Sequence, residues 1–124
     1  MDIIIRNTGE TPIYDQIKNQ IKGHILRGEL REGEALPSLR LLARDLRVSV
    51  ITTKRAYEEL EREGFIATIP GKGCFVTPKD LELVREESRR QAEEHMSRAV
   101  EAARAGGVTL KELTEILDLL WREE

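Results

Sequence analysis

Two short amphipathic stretches joined by a tight turn, then two β-prone runs around a glycine-flanked lysine, predict a mainly α fold with a small β-hairpin. Taken in that order, Leu36–Val76 reads as a winged helix-turn-helix, followed by a C-terminal two-helix dimerisation hairpin. The expected boundaries are residues 1–77 for a DNA-binding domain and 78–124 for a helical dimerisation tail.

Each element can be justified from local chemistry. The lead Met1–Gly9 is apolar and then polar, and is expected to lie as an extended strand against the body. Thr11-Pro12 opens a helix, with Thr suited to the N-cap and Pro to the first helical position. Ile13, Ile17, Ile21 and Ile25 then recur at four-residue spacing, which makes a buried stripe, and Gly28 closes the helix. The stretch from Leu30 to Leu36 reads as a turn. Ser38, after Pro37, caps a helix with Leu39, Leu42, Ala43 and Leu46 on one face. Arg47-Val48-Ser49 is the turn of the motif, and Ser49 caps the next helix. There Thr53, Ala56, Tyr57 and Leu60 should pack inward, and Gly64 ends the run.

Phe65–Ile69 has strand propensity, Pro70-Gly71-Lys72-Gly73 is a turn, and Cys74-Phe75-Val76 returns. Pro78 marks a boundary. From Lys79 to about Ala105 the pattern is one long helix, carrying Leu81, Val84, Ala92, Met96, Ala99, Val100 and Ala103, and Gly106-Gly107 stops it. Thr109 and Glu112 make a capping box for a last helix with Leu113, Ile116, Leu117, Leu120 and Trp121 on its apolar face. These bulky residues are too few for an independent core. The same hairpin of a second chain is the economical cover, which predicts a homodimer.

Charge placement points to the partner. The net charge of −3 is low for a nucleic-acid binder, yet residues 1–77 hold 12 Lys+Arg against 11 Asp+Glu, while 78–124 hold 8 against 12. Between Ser38 and Arg55 stand Arg40, Arg44, Arg47, Lys54 and Arg55 with Asp45 as the lone acid. Positive charge is thus concentrated where the motif would face phosphate. On the second helix Val50, Ile51, Thr52, Lys54 and Arg55 cluster opposite the buried side. Two apolar β-branched residues beside two cations suit a groove-reading face, with methyls for thymine and cations for phosphate or guanine. Gly71 and Gly73 let the wing backbone approach the duplex, and Lys72 supplies charge.

Other classes fit poorly. Aromatic residues make up 4% of the chain, too few for a large aromatic-lined pocket. The opening MDIIIRN lacks the basic start and long apolar run of a secretion signal, and no window approaches a membrane span, so a cytoplasmic protein is expected. The lone Cys74 reads as a plain thiol, and His24 and His95 have no companions at metal-ligand spacing. Glu86-Glu87 and Glu93-Glu94 read as a solvated helix face. Neither a phosphate-binding loop nor a nucleophile motif is present, so no catalytic residue, cofactor or metal is expected and the chain is read as no enzyme.

Residues 10–77 resemble the N-terminal DNA-binding domain of the GntR family of bacterial transcription regulators. The resemblance rests on Pro12-Ile13-Tyr14-x-Gln16-Ile17, Leu36-Pro37-Ser38-x-Arg40-x-Leu42-Ala43, Val48-Ser49, Ala56-Tyr57, Gly64-Phe65-Ile66 and Gly71-Lys72-Gly73-x-Phe75-Val76. The short helical tail is similar to the YtrA-like subfamily, which lacks a large effector domain. The resemblance implies a dimer on a dyad-symmetric DNA operator, usually repressing transcription. It further implies contacts from Arg40 in the first helix of the motif, from Ser49, Thr52, Lys54 and Arg55 in the second, and from Gly71, Lys72 and Gly73 in the wing. Arg44 joins them on its charge. Two departures stand out: Arg47 replaces the family's usual Gly, and Val50 its frequent Arg. The other class weighed is a winged-helix protein-interaction module without DNA binding. The sequence leaves a small-molecule effector, the operator and the regulated genes unidentified.

Overall fold

A computed structural model describes residues 1–7 and 9–123, which form five helices and one two-stranded antiparallel sheet. The helices are α1 (Ile13–Leu26), α2 (Leu39–Leu46), α3 (Val50–Arg62), α4 (Leu81–Gly106) and α5 (Leu110–Arg122), and the strands are β1 (Ile66–Ile69) and β2 (Gly73–Val76). Two compact units result, Met1–Leu81 and Glu82–Glu124.

The first unit holds the core. Ile17, Ile21 and Ile25 of α1 are buried where α1 packs on α3, whose Thr53, Ala56, Tyr57 and Leu60 are buried in turn, and Leu42 and Ala43 are buried where α2 packs on α3; Ile13 is only half-buried. The two buried hydroxyls are both satisfied and both brace α3. Thr53 Oγ1 lies 3.1 Å from the Leu39 carbonyl and 2.9 Å from that of Val50. The Tyr57 hydroxyl donates to the Pro37 carbonyl at 2.8 Å. Phe65, Ile66 and Val76 close the core from the hairpin side.

The N-terminal lead is extended without being a strand. Its backbone pairs with side chains: Ile4 N–H donates to Gln20 Oε1 (2.8 Å) while Gln20 Nε2 donates to the Ile4 carbonyl (2.7 Å). Arg6 exchanges the same two bonds with Gln16, each at 2.8 Å. Two primary amides one helical turn apart thus stand in for a neighbouring strand. Thr8, also in the predicted strand, lies outside the described residues. The start of α1 also differs from expectation. Pro12, at ψ 147°, occupies the N-cap itself and no side chain caps the first turn, while the Thr11 carbonyl accepts from Gln16 Nε2 at 2.9 Å.

The expected turn at 30–36 is more than a turn. Within it Ala35 bridges Phe75, and Leu36 N–H to Cys74 O and Val76 N–H to Glu34 O, both 2.9 Å, add a third partial strand beside β2. Within the hairpin Ile66 faces Val76 and Ile69 faces Gly73.

Helix ends share one device. At Gly28, Arg47 and Gly64 the chain turns left-handed and the next amide reaches back to a carbonyl of the last helical turn, as in Val48 N–H to Ala43 O at 3.0 Å. Arg47 is the non-glycine case, at φ 57° and ψ 46°. A glycine would take this conformation without the Cβ penalty that Arg47 bears.

Helix α4 starts at Leu81 rather than Lys79, and Gly107 ends it with Val108 N–H on the Ala103 carbonyl at 2.8 Å. Ala103 is its buried residue; Arg89–Glu93, Arg90–Glu87, Arg90–Glu94 and Arg98–Glu94 pairs lace its exposed surface. The predicted capping box holds α5, with Thr109 Oγ1 accepting from Glu112 N–H and Glu112 Oε1 from Thr109 N–H.

Candidate nucleic-acid interface

Ser38 and Ser49 set the start of the two motif helices. Each accepts, at 3.1 Å, the backbone N–H three residues on, so α2 and α3 begin at fixed points on either side of the Arg47 turn. With Thr53, Ala56, Tyr57 and Leu60 committed to the core, the opposite side of α3 has to face solvent.

That side carries the predicted face. Ile51 is 80% exposed and Val50 42%, and Lys54 and Arg55 are exposed beside them. An isoleucine this bare in the first turn of a helix serves no packing within its own unit. Thr52 is half-buried, and its hydroxyl shares a hydrogen bond with Ser49 Oγ at 2.8 Å. One hydroxyl hydrogen of this pair is used between them, which leaves one donor for an outside acceptor.

The cations fall into two sets. Lys18 and Lys22 of α1 are spent on Glu63, at 3.1 and 3.3 Å, and Lys22 and Lys79 flank the Phe65 ring at 5.2 and 4.9 Å. Burial lifts the Glu63 carboxyl, but its hydrogen bonds and charge pairs with these lysines outweigh that and hold it below the ordinary carboxylate value. Arg40, Lys54 and Lys72, by contrast, are exposed and form no ion pair among the described residues. Arg44 has a loose 3.9 Å contact with Asp45. Arg55 is stacked: its guanidinium lies 3.9 Å from the centre of the Tyr14 ring of α1. Sequence reasoning misses Tyr14, because it sits in the supporting helix and reads as scaffold.

At the wing, Pro70 and Gly71 (φ +77°) occupy the middle of the turn, and Lys72 N–H closes it on the Ile69 carbonyl at 2.9 Å. Proline followed by a positive-φ glycine is the signature of a type II turn. Lys72 is thereby carried at the exposed tip, next to Gly73 in β2. Thr68 anchors the strand to α3, donating to Glu61 Oε2 at 3.0 Å. Cys74 is half-buried and 3.3 Å from Thr68 Oγ1.

The residues predicted for dimerisation all lie on α5. Leu113 is half-buried, Ile116, Leu117 and Leu120 are exposed, and Trp121 is 82% exposed. Leu110 and Leu119 are also bare, and they fall outside the set that the sequence pattern predicts.

Elsewhere chemistry is sparse. A polar recess of about 240 Å³ is lined by Met1, Asp2, His24, Glu29, Leu30 and Glu34. There His24 Nε2 donates to the Asp2 carbonyl at 2.8 Å and Nδ1 meets the Glu29 carboxylate. Among the described residues no group of three or more His, Cys, Asp or Glu could hold a metal, and no helix is long and apolar enough to cross a membrane.

Known proteins share this geometry. Residues 13–76 match the profile described as bacterial regulatory proteins, gntR family. The HTH-type transcriptional repressor YtrA of Bacillus subtilis (strain 168) is 36% identical over 105 residues, 85% of this chain and 81% of the relative. A transcriptional antiterminator from Listeria monocytogenes EGD-e superposes with a TM-score of 0.72 at 28% identity, over 99% of this chain and 92% of that one. The DNA-binding domain of AraR in complex with operator ORE1 superposes with a TM-score of 0.53 at 25% identity, over 62% of this chain and 94% of that one.

Proposed function

Since this chain belongs to the gntR family of bacterial regulatory proteins and is a DNA-binding transcriptional regulator of the YtrA-like kind, we propose that it is a cytoplasmic, homodimeric repressor that reads a dyad-symmetric operator. The observation that carries the proposal is the outer face of α3. Exposed Val50 and Ile51 stand there with Lys54 and Arg55, neither cation held by an acidic partner among the described residues, and a lysine-tipped wing follows.

In this reading α3 enters the major groove, with Val50 and Ile51 against thymine methyl groups and Lys54 and Arg55 on phosphate or guanine. The remaining hydroxyl donor of Ser49 and Thr52 serves a phosphate or base edge. Arg40 and Arg44 of α2 meet the backbone, and Gly71, Lys72 and Gly73 meet the adjoining minor groove or its phosphates. Residues 1–77 act as the DNA-binding domain and 78–124 as the dimerisation tail, joined through Leu113, Ile116, Leu117, Leu120 and Trp121. Two copies place their half-sites about 10 bp apart, or a multiple of that. Repression is supported by the name of the B. subtilis relative, which spans most of this chain. The protein carries out no catalysis and needs no cofactor.

The test is fluorescence anisotropy on the duplex upstream of this protein's own gene and on a scrambled duplex, across a salt series. Tight binding that favours the native duplex at physiological salt is the expected result. Absence of binding to either duplex, even at low salt, would overturn the reading in favour of a protein-interaction module.

A further inference from the structure

Arg55 differs from the other exposed cations of the face. Lys54 and Arg40 extend freely, whereas the Arg55 guanidinium lies over the Tyr14 ring, 3.9 Å from its centre. Tyr14 is half-buried in the first turn of α1, the helix whose Ile17, Ile21 and Ile25 anchor it in the core against α3. The ring is therefore a fixed platform. It takes up one face of the guanidinium and leaves the N–H donors at the rim, where no carboxylate among the described residues engages them.

Such a group suits one kind of ligand. A base edge needs a side chain free to extend into the groove and align two donors with it. A cation laid back on the neighbouring helix is withdrawn from that role, and presents its rim at the flank of α3 where a DNA strand would pass. We propose that Tyr14 is a positioning residue that holds Arg55 as a phosphate clamp, so that Arg55 contributes affinity and register while sequence is read by Val50, Ile51 and Lys54. This rests on the DNA-binding reading above and adds to it a residue from outside the helix-turn-helix. Pre-stacking also lessens the side-chain freedom that Arg55 loses on binding.

The test compares wild type with Tyr14→Leu, Tyr14→Phe, Arg55→Ala and the Tyr14→Leu/Arg55→Ala double variant. Thermal melts verify that each is folded, and each is titrated with native and scrambled duplexes at several salt concentrations. Arg55→Ala removes one phosphate contact from each protomer of the dimer and is expected to flatten the slope of log Kd against log salt by about 1.8. Tyr14→Leu should weaken both duplexes equally, by about 5- to 30-fold since two stacks are lost per dimer, leaving their ratio unchanged. Tyr14→Phe, which keeps the ring, should bind like wild type, and Tyr14→Leu should add nothing once Arg55 is gone. The proposal is overturned if Tyr14→Phe is as damaged as Tyr14→Leu, if the Tyr14→Leu loss persists in the double variant, or if Arg55→Ala collapses the ratio between duplexes. Those outcomes leave the regulator reading standing. Failure of wild type to bind any duplex would remove that reading and this one together.

Discussion

The Tyr57 hydroxyl donates to the Pro37 carbonyl across 2.8 Å and so joins the middle of α3 to the residue before the α2 cap. The phenol is buried, and that burial, with a lesser contribution from Cys74, pushes its pKa far above the ordinary value. It stays a neutral donor throughout the physiological range. Tyr57→Phe should lower stability by about 1 kcal/mol, seen as a lower urea midpoint at unchanged m-value. An unchanged midpoint would mean the bond adds nothing beyond ring packing.

Glu63 gives the fold an acid-sensitive fastening. Partial burial raises its pKa, but Lys18 and Lys22 pull it down further, so the folded value lies below the ordinary 4.5. A depressed folded pKa contributes stability that is fully present above the unfolded value and is lost as pH falls through the folded one. The side chain is 32% exposed, so screening keeps the contribution at about 1 kcal/mol or less. Glu63→Gln should be less stable than wild type at pH 7 by that amount, and the gap should close as pH falls below the ordinary carboxylate value and through the depressed folded one. A gap that is constant with pH would assign the loss to packing instead.

Arg47 holds a backbone conformation that glycine takes freely, at φ 57° in the turn between the motif helices. Arg47→Gly should raise stability by about 1 kcal/mol, while Arg47→Ala should not, because alanine retains the Cβ that is strained there. Thermal unfolding of both variants decides it. Equal melting temperatures would show that the turn carries no strain.

Ile51, bare on α3, is expected to read a methyl group. Replacing operator thymines one at a time by deoxyuridine should weaken wild-type binding about 3- to 5-fold at one position of each half-site, from the loss of one buried methyl. Ile51→Ala should be indifferent to that same replacement. Sensitivity retained in Ile51→Ala would transfer the role to Val50.

The apolar face of α5 should be the seam between two copies. Leu117→Asp and Trp121→Asp should each yield a monomer by light scattering, with operator binding weakened as the second half-site contact is lost. A variant that remains dimeric would place the seam elsewhere.

The helix-turn-helix is legible in the sequence because each of its determinants is local. Ser38 and Ser49 act on amides three residues away, and the buried face of α3 recurs at helical period. The partial strand at Ala35 is not legible, since a single bridge has no alternation to reveal it. The true role of the N-terminal lead is hidden for a related reason. Its partners are the side chains of Gln16 and Gln20, which read from sequence as polar positions on a helix. On the candidate interface, exposed Val50, Ile51, Lys54 and Lys72 follow from what the core excludes. The Tyr14–Arg55 stack does not, because it joins residues far apart in the chain through a contact that no periodicity encodes.

The glutamine pair on α1 has a consequence for how its passenger is positioned. Gln16 and Gln20 grip only peptide groups, those of Arg6 and Ile4 together with the Thr11 carbonyl, and at positions 4 and 6 any residue except proline offers the same grip. The clamp is therefore blind to side-chain identity. Register along the clamp falls instead to half-buried Ile3 and Ile5 and to the Asp2 carbonyl that His24 holds.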